Sequence, residues 1–317
     1  MTLRYNWTVR ELTVVHNSPL LELVYRAAII HRKYHKPDEV QISSLLSIKT
    51  GGCPEDCSYC SQSVHNGAEI KVQKLLPLQE VVDEATKAKK GGATRFCMGS
   101  AWREVRNNSD FEKVLEMARA VTSLGMEVCC TLGMVSEEQA KRLAEAGVHA
   151  YNHNLDTSEE YYEKIITTRQ YSDRIRTLQN VRKAGMTVCS GGIIGLGEKI
   201  SDRIKMLVTL ASFRPHPESV PINALVPVKG TKLGNNLPVS SWDMVRMVAT
   251  ARIAMPKSMV RLSAGRQQMS VEAQALCFLA GANSIFAGDK LLTTPNPAFS
   301  EDMKMFKVLG LKPAKAK

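Results

Sequence analysis

The stretches ARAVTSLGMEVCCTLG (residues 118–133) and LQNVRKAGMTVCSGGI (residues 178–193) share one pattern: an amphipathic helix, a glycine, and a short apolar run containing cysteine. Because glycine enters the left-handed conformation without a Cβ penalty, Gly125 and Gly185 are predicted to end their helices. The β-branched or apolar run after each glycine predicts a strand. The same phrase recurs around Gly92, Gly147 and Gly281. Intervals of roughly thirty residues indicate consecutive strand–helix units.

Less regular members complete a set of eight predicted strands, which start near residues 44, 94, 127, 149, 187, 220, 260 and 283. Predicted helices cover residues 77–90, 109–124, 136–146, 171–184, 240–254 and 270–280. Eight parallel strands alternating with helices predict an α/β fold, a (β/α)8 barrel of the TIM type, with its chemistry at the carboxyl ends of the strands. A doubly wound open sheet is the alternative, although no G-x-G-x-x-G motif opens a helix after the first strand.

The chain is expected to be a single domain, because no linker rich in Pro, Gly or Ser divides it. Residues 1–40, with the segment LLELVYRAAIIHRKYHKP, are predicted to form an N-terminal helical extension: one helix packed against the barrel end. Residues 41–317 are predicted to form the barrel and a short C-terminal tail.

Composition limits the function classes. No run of eighteen apolar residues is present, and the start MTLRYNWTVREL lacks the pattern of a secretory signal, so a cytoplasmic protein without a membrane partner is expected. The net charge of +11 fits either attraction to anionic partners or a solvated basic surface. Lys and Arg are spread along the chain and no stripe interleaves them with aromatics, so no nucleic-acid partner is expected.

Three cysteines lie in SIKTGGCPEDCSYCSQS (residues 47–63): Cys53, Cys57 and Cys60. Structural zinc takes four protein ligands, commonly from paired loops, and a disulfide takes an even number of thiols. A [4Fe–4S] cluster held by three cysteines leaves one iron open. The spacing favours such a reactive cluster over zinc or a disulfide.

A second group of thiols is predicted at the ends of strands two, three and five: Cys97, Cys129 and Cys189. Successive strand residues face opposite sides, so Cys129 points into the barrel only if Cys130 points outward. Three inward thiolates suit a second metal centre, and a two-iron cluster needs a fourth ligand. Arg261 lies at a similar depth on strand seven. By its own chemistry it is a salt-bridge partner or an anion clamp, because a guanidinium has no free lone pair.

The loop C-x-x-x-C-x-x-C, with Tyr59 before its last cysteine, resembles the signature of the radical S-adenosylmethionine (SAM) enzymes. The segment GGIIGLGE resembles a second element of that superfamily through Gly191, Ile193, Gly195 and Glu198. The resemblance implies that a [4Fe–4S] cluster binds SAM and reduces it to a 5′-deoxyadenosyl radical. It also implies that the strand with Gly191, Ile193 and Gly195 passes under the adenine. The G-G-E motif common after strand two is absent, and CMGSAW stands there instead.

Longer segments resemble the biotin synthase family within that superfamily, in order from about residue 40 to 297. They include LLSIKTGGCPEDCSYC, TRFCMGSAW, YNHNLDTS, VCSGGIIGLGE, ESVPINALVPVKGT, VRLSAGR and AGANSIFAGDKLLTTPNP. The resemblance implies sulfur insertion into dethiobiotin, with the sulfur taken from a [2Fe–2S] cluster. Its implied ligands are Cys97, Cys129, Cys189 and Arg261. The family usually has a single cysteine at the end of strand three, and Cys130 departs from that pattern.

The same resemblance implies contacts for the ligands. Asn154 and Asp156 would contact the adenosyl ribose, and Arg174 would pair with the methionine carboxylate. Asn152, Asn154 and Asn223 would face dethiobiotin, and alternation is expected to place Asn152, Asn154 and Asp156 on one strand face. An electron donor such as flavodoxin or ferredoxin and a homodimer are also implied. The alternatives are a radical SAM enzyme that modifies RNA and a non-catalytic iron–sulfur carrier.

Overall fold

The barrel strands occupy the predicted positions in the computed structural model, which describes residues 3–288 and 290–315. They are β1 (Glu39–Lys49), β2 (Arg95–Ser100), β3 (Glu127–Thr131), β4 (Val148–Asn152), β5 (Thr187–Cys189), β6 (Gly192–Ile194), β7 (Ser219–Ala224), β8 (Met259–Leu262) and β9 (Ser284–Phe286). β1 begins at Glu39 rather than near residue 44. The other predicted starts agree with the structure to within one residue.

These strands close into one parallel barrel. Pairing runs from β1 through β2, β3, β4, β5, β7 and β8 to β9, and β9 pairs with β1 again. β5 and β6 occupy one position in the barrel, since β5 pairs with β4 and β6 with β7. The closed pairing confirms the predicted (β/α)8 barrel, and the doubly wound alternative is wrong.

Helices surround the barrel, and several begin and end as the sequence predicts. They are α1 (Val9–His16), α2 (Leu20–Tyr34), α3 (Leu78–Lys90), α4 (Ser109–Ser123), α5 (Glu137–Glu145), α6 (Glu159–Tyr162), α7 (Tyr171–Lys183), α8 (Ile200–Ser212), α9 (Ser241–Ala254), α10 (Val271–Leu279) and α11 (Phe299–Leu309). Gly125 and Gly185 follow α4 and α7 with φ of 76° and 81°, the left-handed conformation that glycine tolerates.

Two separate apolar regions result from strand alternation. The larger core lies between the sheet and the helices and includes Cys130. A small cluster, consisting of Cys97, Cys129 and Ala150 with Leu45 and Phe286 against it, is separate from that core. Cys129 and Cys130 thus lie on opposite faces of β3, as the register predicted.

The N-terminal residues form two helices, so the prediction of one helix is wrong. α1 ends at His16, and α2 begins after Pro19, which occupies its N-cap. Pro19 lacks a backbone N–H and disfavours a helical conformation at Ser18, so a continuous helix is interrupted here. Both helices pack on the outer layer, where α1 contacts α8 and α9 and α2 contacts α9.

Three short strands complete the structure: β10 (Lys290–Leu291), β11 (Thr294–Pro295) and β12 (Lys312–Pro313). β12 lies in the predicted C-terminal tail and pairs with the start of β1, with Lys312 opposite Glu39. Residues 316 and 317 of that tail lie outside the described residues. No helix of the described part of the chain has the length and apolar character needed to cross a bilayer.

Candidate active site

A cavity of about 320 Å³ opens at the carboxyl ends of the barrel strands. It brings together most of the predicted site residues: Cys53, Cys57, Tyr59, Cys60, Cys97, Cys129, Asn152, Asn154, Asp156, Arg174, Ile193, Asn223 and Arg261. The buried Cys189 thiol adjoins the cavity wall, where its Sγ accepts a hydrogen bond from the cavity-lining Asn152 at 3.2 Å. Gly191 and Gly195 lie on either side of Ile193 in the adjoining backbone.

The loop after β1 presents its three cysteines to this cavity. Asn66 Nδ2 donates to the carbonyls of Cys57 at 3.0 Å and Cys60 at 2.8 Å, which ties the second half of the loop together. Cys53 N donates to Gln62 O at 3.0 Å. Burial raises the pKa of Cys57 to about 12 and that of Cys60 to about 11. Thiolates in this loop therefore need a cationic partner, and three thiols bordering one cavity suit an iron–sulfur cluster with one open iron. Among the described residues, no three His, Cys, Asp or Glu side chains form a group that could hold a single metal ion.

Residues 167–169, just before α7, bind the cysteine loop through hydrogen bonds and an ion pair. These contacts were not predicted from the sequence. The Asp56 carboxylate accepts hydrogen bonds from the backbone N–H groups of Thr167 at 2.9 Å and Thr168 at 3.2 Å. Arg169 forms an ion pair with Glu55 at 3.7 Å, and its Nη2 lies 4.0 Å from Cys57 Sγ. Arg169 is thus a cavity-lining cation beside the cysteine loop that sequence reasoning missed. The family segment YNHNLDTS ends at Ser158, eleven positions before Arg169, and so does not mark it.

The second group of thiols lies on β2, β3 and β5; β2 and β3 are neighbours, and β4 separates β3 from β5. Cys97 and Cys129 are opposite each other in the β2–β3 register. Cys97 and Cys129 pack together in one small cluster, and the Cys189 sulfur accepts a hydrogen bond from Asn152 Nδ2 at 3.2 Å. All three side chains are buried. This compact sulfur donor set fits a small metal cluster inside the barrel.

Arg261 lies beside these thiols on β8. Its Nε donates to Ser284 Oγ at 3.0 Å, and its Nη1 lies 3.8 Å from Cys189 Sγ. The guanidinium also stacks over Phe286, 4.5 Å from the ring centroid. No acidic side chain of the described residues forms an ion pair with Arg261. The salt-bridge interpretation of Arg261 therefore finds no carboxylate among the described residues, and the group beside the guanidinium that could carry a negative charge is the Cys189 sulfur.

Asn152, Asn154 and Asp156 all border the cavity, but not as one strand face. β4 ends at Asn152, and Asp156 has φ of 67°, so the predicted alternation stops before Asp156. This left-handed φ departs from extended backbone, although His153 N and Leu155 N still donate to the Cys189 and Gly191 carbonyls and continue the parallel pairing past Asn152. Asn152 Nδ2 donates to Cys189 Sγ at 3.2 Å. Asn154 Oδ1 accepts from Gly191 N at 3.2 Å.

Asp156 connects the cysteine loop to α7. It accepts a hydrogen bond from Tyr59 Oη at 2.7 Å and forms an ion pair with Arg174 at 2.5 Å. Arg174 also donates to Tyr162 Oη at 2.7 Å and to the Asn154 carbonyl at 2.5 Å. Across the cavity, Asn223 Nδ2 donates to the Gly192 carbonyl at 2.9 Å. These polar groups are therefore held in place by the protein itself.

The glycines of GGIIGLGE are required by close backbone approach. A Cβ on Gly191 would lie 1.9 Å from the Pro221 carbonyl oxygen on β7. Gly195 has φ of 96°, and a Cβ there would lie 2.4 Å from a Val239 methyl. Glu198 Oε1 accepts from Gly195 N at 3.0 Å and closes the turn. Packing within the barrel thus requires these glycines independently of any ligand.

Gly191→Ala is expected to destabilise the fold by at least about 3 kcal/mol, because backbone must move to admit the methyl group. Gly185→Ala is the control: nothing lies within 4 Å of the added Cβ, although Gly185, unlike Gly191, has a left-handed φ of 81°. The control should lose only about 1–2 kcal/mol from the left-handed conformation. Urea unfolding followed by circular dichroism measures both. Equal losses would show that the contact with Pro221 is easily relieved.

Comparison with known proteins agrees with this site. Residues 47–210 match the family model of the radical SAM superfamily, and residues 221–312 match the Biotin and Thiamin Synthesis associated domain. The structure superposes on methylornithine synthase with a TM-score of 0.83 and 19% identity, covering 98% of this chain and 95% of that one. For HydG, a maturase of the [FeFe]-hydrogenase, the TM-score is 0.84 at 19% identity, over 98% and 72% of the chains. These structures establish the fold alone.

Curated relatives are much more similar in sequence. A biotin synthase of Cytophaga hutchinsonii is 63% identical over 98% of this chain and 92% of its own length. Biotin synthases of Flavobacterium psychrophilum and Nostoc punctiforme are 60% and 59% identical, over 99% and 98% of this chain and 86% and 93% of their own lengths. At this identity over nearly its whole length, the chain belongs to the biotin synthase family of radical SAM enzymes.

Proposed function

We propose that this enzyme converts dethiobiotin to biotin by inserting sulfur between a methyl and a methylene carbon. The observation that carries the proposal is the presence of two sets of cysteine thiols at one cavity, the first in the loop after β1 and the second inside the barrel. A radical generated at the first set and a sulfur source at the second would serve one substrate held between them.

Cys53, Cys57 and Cys60 would hold the [4Fe–4S] cluster. When bound, this cluster and SAM supply a 5′-deoxyadenosyl radical that abstracts hydrogen from unactivated C–H bonds. The protein's own task is to position the substrate and SAM and to exclude water from the cavity. Tyr59 positions the Asp156 carboxylate, because its hydroxyl donates a hydrogen bond to that carboxylate at the edge of the cysteine loop.

SAM itself would be held by the polar groups at the ends of β4 and β6. Asn154 and Asp156 would take the ribose hydroxyls, and the backbone around Ile193, with Gly191 and Gly195, would pass under the adenine. Arg174 would take the methionine carboxylate through charge-assisted hydrogen bonds. In the structure this guanidinium already contacts Asp156, so binding would require it to share or exchange that partner.

Cys97, Cys129, Cys189 and Arg261 would hold the [2Fe–2S] cluster, which acts as the sulfur-donating substrate. The buried guanidinium of Arg261, which has no described carboxylate partner, would balance the negative charge of the thiolates. Dethiobiotin would lie between the two centres, with its ureido ring against the amides of Asn152, Asn154 and Asn223. Asn152 supports this placement, since its amide lies 3.2 Å from the Cys189 sulfur.

The test uses anaerobically reconstituted protein, SAM, dethiobiotin and dithionite. The expected result is biotin together with one 5′-deoxyadenosine for each C–H bond broken, because each bond needs its own radical. Mass spectrometry measures both products. Biotin formation without 5′-deoxyadenosine, or rapid 5′-deoxyadenosine formation with dethiobiotin but no biotin, would contradict the proposal. An RNA-modifying activity would instead require product formation that depends on added RNA.

Two partners complete the proposal. An electron donor such as flavodoxin or ferredoxin would supply the reducing equivalents, and two copies of the chain would form a homodimer. Both rest on the family resemblance.

A further inference from the structure

A second cavity of about 270 Å³ lies on the outer side of the cysteine loop. Its lining consists of Lys49, Gly52, Pro54, Ala101, Trp102, Arg103, Glu104, Arg106 and Asn108. We call this surface the outer cleft. The active-site roles proposed above involve no residue that lines the outer cleft.

The outer cleft shares a wall with the active-site cavity. Ala101 and Trp102 border both cavities. Gly52 and Pro54 are exposed and border the cleft, while Cys53 between them borders the active site. The loop that would hold the four-iron cluster is therefore one residue thick at this point. The outer cleft therefore brings solvent close to Cys53, one of the proposed ligands of the four-iron cluster.

Charge at the outer cleft is mostly positive. Lys49, Arg103 and Arg106 line it with one carboxylate, Glu104. Arg103 is ion-paired with the buried Glu55 at 3.4 Å, which leaves Lys49 and Arg106 as the cations without a carboxylate partner among the described residues. The Arg106 side chain is exposed and forms no hydrogen bond or ion pair with any described residue. Lys49 Nζ donates to the carbonyl oxygens of Gly51 at 2.7 Å and Ala101 at 3.2 Å and forms no ion pair with a described carboxylate.

Two exposed apolar side chains lie near the cysteine loop, and one of them, Val72, is close to Gly52 and Lys49. Val64 is 59% exposed and Val72 is 65% exposed. Val64 N donates to the Cys53 carbonyl, and Val72 precedes Gln73, whose N–H donates to Thr50 O. A small apolar area with cations beside it suits a brief, electrostatically steered encounter rather than a permanent interface.

We propose that the outer cleft is the docking surface for a small acidic protein that carries a one-electron flavin or iron–sulfur centre. The cations attract its carboxylates and orient it over Pro54 and Trp102, with its redox centre facing Cys53. One electron passes from the partner's centre, which is oxidised, to the four-iron centre, which is reduced; no bond is made or broken in this step. The inference rests on the proposed function, because it requires a cluster behind Cys53.

The experiment compares wild-type holoenzyme with Arg106→Glu. Photoreduced flavodoxin, an acidic flavoprotein, is mixed with oxidised enzyme, and loss of the iron–sulfur absorbance gives the second-order rate constant. At low ionic strength the variant is expected to react about tenfold more slowly, since reversing one charge in the docking surface weakens steering. At high salt the two rate constants should converge, because screening removes the difference.

Two controls make the outcome specific. Lys33→Glu, an equal charge reversal at the exposed end of α2, should react like wild type. Dithionite, which needs no docking surface, should drive 5′-deoxyadenosine formation equally in all three proteins. Equal flavodoxin rates for wild type and Arg106→Glu, or an equal loss in Lys33→Glu, would overturn the docking surface while leaving the proposed function intact. Failure of 5′-deoxyadenosine formation with dithionite would instead contradict the proposed function.

Discussion

Cys129→Ala protein is expected to lose the two-iron absorption and all biotin formation while its four-iron centre remains. Cys129 on β3 lies opposite Cys97 on β2, and Cys189 lies two strands further on β5, so removal of Cys129 leaves two separated sulfurs. Two thiolates cannot complete the ligand shell of a two-iron cluster. Visible absorbance, iron content and acid-labile sulfide, measured after anaerobic reconstitution, report the two centres separately.

Cys130→Ala is the matched control for this experiment. Cys130 adjoins Cys129 in sequence but packs in the core between the sheet and the helices. Its replacement should cost about 1–2 kcal/mol through the small cavity left behind and should leave both centres in place. Loss of the two-iron centre in Cys130→Ala, with retention in Cys129→Ala, would mean that β3 has the opposite register.

The second large effect is expected for Cys57→Ala, which should reduce 5′-deoxyadenosine formation to background. Cys57 is the buried central thiol of the loop and lies beside Arg169. With two cysteines left in that loop, the four-iron cluster should not be retained. Electron paramagnetic resonance after reduction should show no four-iron signal, whereas the absorbance of the inner two-iron centre should persist.

Cys277→Ala provides the comparison for Cys57→Ala. Cys277 is a buried thiol on α10, outside both thiol groups. Its replacement removes a sulfur of the same size without touching the cavity, so product formation should stay near wild type. Full 5′-deoxyadenosine formation by Cys57→Ala would contradict the assignment of the four-iron cluster to the loop after β1.

The sequence predicts the barrel well because its signals are local. Gly125 and Gly185 end helices through a conformation that a single residue determines. Alternation along β3 predicts which of Cys129 and Cys130 faces inward, since the side-chain period of a strand is two residues. The same reasoning fails past the end of a strand, as Asp156 shows: its left-handed φ breaks the alternation.

Features built from distant segments were not predicted. Arg169 reaches Glu55 and Cys57 across more than a hundred residues of sequence, and no local pattern marks such a contact. The hairpin β10–β11 is similar: Thr293 at its tip is hydrogen-bonded to Ser61 of the cysteine loop at 2.9 Å. The division of the N-terminal segment into α1 and α2 did have a local signal, in Ser18 and Pro19, which the apolar periodicity of α2 obscured.

The central claim is that sulfur moves from the inner thiol cluster to a substrate held in the same cavity. Its most direct test is a single turnover with enzyme reconstituted with heavy-isotope sulfide, then freed of unbound sulfide. Mass spectrometry of the biotin formed should show the heavy isotope, and the two-iron absorbance should fall in proportion to biotin. Biotin containing only light sulfur, or biotin formed while that absorbance stays constant, would contradict the claim.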